Sequence, residues 1–358
     1  MRLAGRGVAA GALVAVLALA GCAGSDEAAA PNGGSSDGDF TGQQLIYASF
    51  GGTTEAAIKE SKGAPFEEQT GAEVTWVSPV DLGKIRAMVQ SNNVEWDVVS
   101  AGFQVSDAPG SDELFEKVDP ADYNTDDLID GTIRDHTVGS YVISYLVASR
   151  TDRGHDTPKT WTDFYDTEKF PGKRGIDKGG PQTVLESALL ADGVAPEDLY
   201  PLDVDRAFKK LDSIKDDVVW YDGGAAQQEL IQNNTVDYLF AWSGRAYDLL
   251  AKGVPMEISF DQQILTISNQ SIPKGAPNTE LAKEFIKESL DPQRQADFAA
   301  LTAYAPVSKS ALDLIDPDVA KYLPTYPENL EKGVTLDVDF WSKNLDTIQE
   351  RWTSWLLE

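Results

Sequence analysis

Arg245 follows Trp242 by three residues in Phe240-Ala241-Trp242-Ser243-Gly244-Arg245-Ala246, where an apolar strand gives way to a helix. A guanidinium there offers a two-pronged donor to a carboxylate or phosphonate. The alternative for Arg245 is an ion pair with one of the many surface acids. The face of the Trp242 indole can hold an ammonium at about 0.5 to 2 kcal/mol, and core packing is its alternative role. Three loops stand between a strand and a helix: Ser49-Phe50-Gly51-Gly52-Thr53, Ala101-Gly102-Phe103-Gln104 and Tyr221-Asp222-Gly223-Gly224. A helix start presents unpaired N–H groups to a polar ligand; each loop taken alone also reads as a simple glycine turn. Together these residues point to a small ligand with an acidic group, such as a γ-amino acid, its carboxylate on Arg245 and its amine on Trp242 or Asp222.

Residue supply argues against catalysis and against resident cofactors. His136 and His155 are the only imidazoles and Cys22 the only thiol. No intramolecular disulfide, Cys-based zinc site, His cluster or redox pair can be built from them, and no metal or other cofactor is expected. A Ser-His-Asp arrangement would need one of two histidines beside a serine. A surface-anchored acidic hydrolase remains as an alternative through the neighbouring pairs Asp126-Asp127 and Asp216-Asp217, although adjacent acids in loops are ordinarily solvated. A metal-binding role would usually need adjacent tyrosines or a histidine and carboxylate set, and no Tyr-Tyr pair occurs.

The chain has 358 residues with 42% hydrophobic content, enough for about two domains with buried cores. Lys and Arg total 30 against 58 for Asp and Glu, a net charge of −28. Nucleic acid and anionic lipid surfaces would be repelled, so no nucleic-acid partner is expected. Arg2 and Arg6 precede an apolar run over residues 8–20, the shape of a secretory signal and too short for a comfortable span. It ends in Leu19-Ala20-Gly21-Cys22, which resembles the bacterial lipobox. Residues 1–21 are therefore expected to be a signal peptide, with Cys22 as the lipid-attachment site and two or more acyl chains anchoring the protein to the outer face of the cell membrane. Residues 22–41 carry no large apolar side chain before Phe40 and read as a lipidated disordered tether.

From Gln44 onward, strands alternate with helices. Strands are predicted at residues 45–48, 74–77, 94–99, 141–149, 218–221, 236–242 and 264–267. Helices are predicted from Thr53, after an Asp81 cap, at 161–165, 184–191, around Phe208 and Leu211, from Gly224, and at 281–290 and 294–301. Such alternation argues an α/β fold with a mostly parallel sheet. Trp341, Leu345, Ile348, Trp352 and Trp355 form one helical stripe that needs a core to bury it.

The chain resembles the bacterial extracellular solute-binding lipoproteins of ABC importers, specifically the spermidine/putrescine-binding group. The resemblance covers residues 44–355 and rests on several stretches in order. These are residues 45–52, Pro65-Phe66-Glu67-Glu68-Gln69-Thr70-Gly71, Glu95-Trp96-Asp97-Val98-Val99, Thr160-Trp161-Thr162-Asp163-Phe164, residues 240–246, Ser271-Ile272-Pro273-Lys274-Gly275-Ala276 and Tyr304-Ala305-Pro306. It implies a two-lobed periplasmic-binding-protein-like fold of type II, each lobe a mostly parallel sheet flanked by helices, with the ligand cleft between lobes. The lobes are expected at 42–146 plus 265–309 and at 147–264 plus 310–358, with crossings near 145–149 and 262–266.

The resemblance further implies a monomer that captures a small polyamine, amino acid or other amine- or carboxylate-bearing solute and delivers it to ABC permease subunits. Its ligand-binding residues would be Ser49, Phe50, Gly51, Gly52, Phe103, Gln104, Asp222, Gly223, Gly224, Trp242, Arg245 and Tyr304, with Trp242, Phe103 and Tyr304 as aromatic wall. The sequence departs from the polyamine pattern at the acids. The pair that such binders place before a second-lobe helix falls on Gly180 and Thr183, and the tryptophan and aspartate after the second crossing fall near Thr266 and Ser268. Without those carboxylates a di- or tri-cation loses its strongest partners.

Overall fold

A computed structural model describes residues 39–102 and 106–358. Cys22, the signal segment, most of the expected tether, Phe103 and Gln104 lie outside the described residues.

Among the described residues nine strands form one sheet: β1 (Gln44–Ala48), β2 (Glu73–Val77), β3 (Val98–Ala101), β4 (Val138–Arg150), β5 (Arg174–Asp177), β6 (Val218–Tyr221), β7 (Tyr238–Trp242), β8 (Met256–Ser271) and β9 (Val334–Thr335). The order is β2-β1-β3-β8-β4-β7-β5-β6, with β9 beside β8. Two parallel sets, β2-β1-β3 and β7-β5-β6, flank the long antiparallel pair β4 and β8. The expected mostly parallel sheet thus holds in each flank and is broken at the centre. β4 and β8 are long enough to serve both sets: β8 pairs β3 near Ser271, whereas β4 pairs β7 from Tyr145 to Ser149.

Their ladder is interrupted where register jumps from Tyr145↔Ile264 to Val147↔Ser259. The slack on β8 is taken up around Gln262 at φ 64°. Gln262 is held there by three hydrogen bonds: its Oε1 accepts from the Trp161 backbone N–H (3.0 Å), its carbonyl from Trp161 Nε1 (2.7 Å), and its own N–H donates to Lys332 O (3.0 Å). This bulge carries β8 well beyond the predicted 264–267. The strand predicted at 94–99 begins only at Val98; just before it the Asp97 carboxylate accepts the N–H groups of Ile46 (2.7 Å) and Asn278 (2.8 Å).

Apolar residues gather in separate clusters. Leu45, Phe66, Val98, Leu281 and Phe285 belong to one; Trp161, Leu185, Leu189, Phe208, Ile348 and Trp352 belong to another. Ala311, Ile315, Ala320 and Leu323 are buried in the first cluster. Asp127 fixes the start of that segment by accepting from Ser308 Oγ (2.5 Å) and from the Ser310 N–H (2.9 Å).

The C-terminal stripe lies on one helix, Val338–Leu357, capped by Asp337 accepting the Phe340 N–H at 2.8 Å. Each buried indole on it places its N–H: Trp341 on Glu186 Oε1 (2.5 Å), Trp352 on Lys178 O (3.0 Å), Trp355 on Asp212 Oδ1 (2.7 Å). A buried indole N–H usually finds such a partner. Glu186 also accepts the Tyr200 hydroxyl at 2.6 Å, while its Oε2 is buried without a partner among the described residues. Burial pushes its carboxyl up to about 6 against the Tyr200 and Trp341 hydrogen bonds.

A raised carboxyl favours the protonated folded state. Its contribution is full below the unfolded value and is lost as pH climbs through about 6, on the order of 2 kcal/mol in all. We expect Glu186→Gln to flatten the pH dependence of the melting temperature between about pH 5 and 7. A variant with the parent's pH profile would show that Glu186 carries no linked proton.

Candidate functional site

The cleft opens where the carboxyl ends of β1, β3, β5, β6 and β7 meet the long central pair, with a volume of about 770 Å³. Alternate residues of β4, Tyr141, Ile143 and Tyr145, face it, and β8 adds Thr266 and Ser268. Tyr141 stacks on Tyr304 (centroids 5.5 Å, planes 17° apart), and Tyr145 meets Trp242 edge-on at 6.2 Å. These rings form an aromatic wall, with Phe50 on the opposite lip, 58% exposed.

Trp242 caps the helix Ser243–Ala251, which puts Arg245 on its first turn. Gly244 lets that turn approach Tyr304: a Cβ there would lie 2.5 Å from Thr302 O and 2.7 Å from the Tyr304 ring. The indole Nε1 of Trp242 and the Nε of Arg245 are both buried with no hydrogen-bond partner among the described residues. No ion pair among the described residues involves Arg245, although the chain is rich in acids. The Trp242 indole still lies close enough to Asp177 to pull its carboxyl down, and Arg245 acts likewise on the Tyr304 hydroxyl; a buried donor without a well-aligned partner is costly, and a ligand acceptor would relieve it.

Of the expected ligand residues, Ser49, Phe50, Gly51, Asp222, Gly223, Trp242, Arg245 and Tyr304 line this one cleft. Gly52 and Gly224 do not. Gly52 opens the helix Gly52–Ile58 behind the lip. Gly224 serves as a seat for Arg245, since a Cβ there would lie 2.8 Å from Arg245 Nε. Asp222 reaches the rim, but its side chain is 75% exposed and 4.0 Å from Lys178 Nζ. Ser49 donates its hydroxyl to Glu55, which also pairs with Lys59 at 2.5 Å. Burial tends to raise the Glu55 carboxyl, but the Lys59 and Ser49 contacts outweigh it and hold the group below its ordinary value.

Sequence reasoning missed Asp177, the last residue of β5. Its Oδ1 accepts the Gly179 N–H at 2.9 Å. Burial pushes its carboxyl above the ordinary value, the N–H groups of Gly179 and Gly223 pull it down, and the Asp222 charge adds to the rise. No lysine, arginine or histidine forms an ion pair with it among the described residues. Asp177 precedes Gly179-Gly180 after a strand, the same strand-end signature as the three loops recognised from sequence. β5 went unseen because Arg174-Gly175-Ile176-Asp177 has a single large apolar side chain, Ile176, where the equally short β6 reads Val-Val-Trp-Tyr. Tyr141 and Tyr145 were read as strand only; their spacing of four on a period-two element sets them on one face.

Gly180, Thr183, Thr266 and Ser268, the positions where polyamine binders would carry acids or an aromatic, all line the cleft and are all uncharged. The acid pairs weighed for hydrolysis lie elsewhere. Asp127 holds the Ser308–Ser310 turn, and Asp217 pairs with Lys173 at 3.1 Å. No group of three or more His, Cys, Asp or Glu able to hold a metal occurs among the described residues, and no described helix is long and apolar enough to cross a membrane.

The model of the bacterial extracellular solute-binding protein family matches residues 63–326. The γ-aminobutyric acid-binding protein of Pseudomonas aeruginosa is 36% identical over 325 residues, 87% of this chain and 91% of that protein. Among solved structures, the Atu4243 GABA receptor superposes with a TM-score of 0.83 at 40% identity, covering 87% of this chain and 97% of its own. An ABC transporter substrate-binding protein from Bradyrhizobium japonicum USDA 110 gives 0.82 at 34% identity, covering 88% and 99%. The chain belongs to the bacterial extracellular solute-binding proteins: it is the substrate-binding protein of an ABC transporter, a binder of small molecules and not an enzyme.

Proposed function

We propose that the cleft binds a small zwitterion whose amine and carboxylate are held apart, of the γ-aminobutyrate class. The observation that carries this reading is the charge content of the cleft among the described residues: one guanidinium without an acidic partner, Arg245, and one carboxylate without a basic partner, Asp177. The other two acids at its edge, Glu55 and Asp222, have Lys59 and Lys178 beside them. A ligand carboxylate takes the Arg245 fork, and its ammonium lies between Asp177 and the Trp242 ring. The two relatives named for γ-aminobutyrate support the same class. Of the two solute classes expected from sequence, polyamines are disfavoured, because a dication would set a second positive charge near Arg245.

The lobes of this reading are residues 42–146 plus 265 to about 325, and 147–264 plus the C-terminal helix, closing on the solute as hinge-type receptors do. Cys22 carries the lipid anchor, and the monomeric receptor hands its solute to the permease subunits. A thermal-shift panel tests the ligand class, since a solute that binds only the folded state adds about 2.7 kcal/mol at a hundredfold excess over Kd. γ-Aminobutyrate is expected to raise the melting temperature while putrescine and spermidine leave it unchanged. Stabilisation by a polyamine and not by γ-aminobutyrate would overturn the reading.

A further inference from the structure

Arg134 lies in the turn ahead of β4, closed by the Ile133↔Val138 bridge and by its own N–H donating to Thr137 O at 3.0 Å. Leu128 and Val138 bury in the first apolar cluster, and Ile133 packs against it. The guanidinium divides its fork between two acids: its Nε donates to Asp107 Oδ1 and its Nη2 to Asp339 Oδ1, each at 2.5 Å. The Asp107 side chain is only 5% exposed and belongs to the same proposed lobe as Arg134. Asp339 stands on the first turn of the C-terminal helix, whose Trp341, Ile348 and Trp352 bury in the second cluster. Among the described residues, Arg134–Asp339 is the one ion pair that joins residues of the two proposed lobes. The other pairs lie within a lobe or, for Lys332–Asp261, involve the segment that leads into the C-terminal helix.

The pair stands beside the cleft. A Cβ on Gly131, three residues before Arg134, would lie 3.7 Å from Ile267 Cδ1, and Ile267 lines the cavity. Asp107 follows Ser106, whose N–H and hydroxyl both reach the carbonyl of Gly102, a lining residue, at 3.3 and 3.1 Å. Asp339 belongs to the helix that brings Leu345 and Gln349 to the lining. We propose that Arg134 is an interlobe latch, anchored in the first lobe by Asp107 and holding the second through Asp339, that biases the receptor toward its closed form. The inference rests on the two-lobed, hinge-closing reading and adds a regulation to it. Asp107 fixes the guanidinium in advance, so little side-chain freedom is lost when Asp339 engages. Closure and solute capture share one equilibrium, so a contact that favours the closed form slows release of the solute. Because the pair is partly exposed, the bias is a few-fold one.

Arg134 is left intact in the test, since removing it would strand the buried Asp107; the variants are made at the exposed Asp339. Small-angle scattering reads closure in the unliganded protein, and stopped-flow tryptophan fluorescence reads release of γ-aminobutyrate. Asp339→Lys, which sets a like charge against Arg134, is expected to increase the radius of gyration and to speed release about tenfold, without slowing association. Asp339→Asn should speed release about threefold, and Asp339→Glu should restore the parent's radius and rate. Asp205→Lys is the control for charge reversal, because it breaks the Arg351–Asp205 pair on the same helix but within the second lobe; it is expected to match the parent. A parent-like radius in Asp339→Lys, or the same changes in Asp205→Lys, overturns the latch and leaves the zwitterion reading standing. A parent that does not bind γ-aminobutyrate overturns the zwitterion reading, and the scattering comparison then decides the latch alone.

Discussion

Replacing Arg245 with alanine is expected to lower γ-aminobutyrate affinity at least a hundredfold, the largest loss of any single change in the cleft. Truncating one partner of a buried, hydrogen-bonded charge pair costs about 2 to 5 kcal/mol, and each 1.4 kcal/mol is tenfold. Arg245 sits at the upper part of that range because nothing else in the cleft can take over its role. Its Nε is already buried without a partner, and no described lysine lines the cavity. Arg245→Lys restores the charge but not the fork, so it should recover only part of the affinity. The unliganded variant should fold, since Arg245 contributes no ion pair and the helix Ser243–Ala251 is anchored by Ala246 and Leu249. Titration calorimetry on both variants decides the matter, and unchanged affinity in Arg245→Ala would remove the guanidinium from the site.

The placement of Arg245 and Trp242 at the cleft was readable in the sequence because it depends on local order alone: an apolar strand, a turn, and a fork on the first turn of the helix. The same locality made most elements legible. The helix Val184–Ala191 falls on its predicted bounds, and Asp81 caps its helix by accepting the N–H groups of Gly83 (2.8 Å) and Lys84 (3.1 Å). What escaped is non-local. β5 is a strand because β6 and β7 lie on either side of it, and Arg174-Gly175-Ile176-Asp177 offers only one large apolar side chain to mark it. Asp177 becomes a site residue only once that strand exists. Gly224 looked like a donor loop and is a seat for Arg245, twenty-one residues away in sequence, which no pattern of spacing encodes. Gln349 was hidden within a stripe correctly read as packing. Trp341, Ile348 and Trp352 do bury in the core, yet the same helix turns Gln349, next to Ile348, to the cleft lining.

Asp177→Asn separates binding from stability by moving them in opposite directions. Asparagine keeps an oxygen for the Gly179 N–H and loses the charge, so the loop should hold while the ammonium loses its counter-ion. Affinity for γ-aminobutyrate is expected to fall about 30-fold or more, on the scale of a broken charge pair. Stability of the unliganded protein moves the other way. Burial raises the folded carboxyl above its unfolded value, so its contribution is full below the unfolded value and is lost as pH rises through the folded one. At neutral pH the bare carboxylate is a net cost, and removing it should leave the melting temperature equal or higher.

The parent should also bind its ligand less well in acid, beginning at higher pH than an ordinary carboxyl near 3.9 would dictate, because protonated Asp177 cannot hold an ammonium. In Asp177→Asn that acid limb should vanish along with most of the affinity. Melting curves with and without γ-aminobutyrate across the acid range read all three effects at once. A variant that melts lower without ligand would show that Asp177 serves the loop. One that binds with the parent's affinity would move the amine to another group.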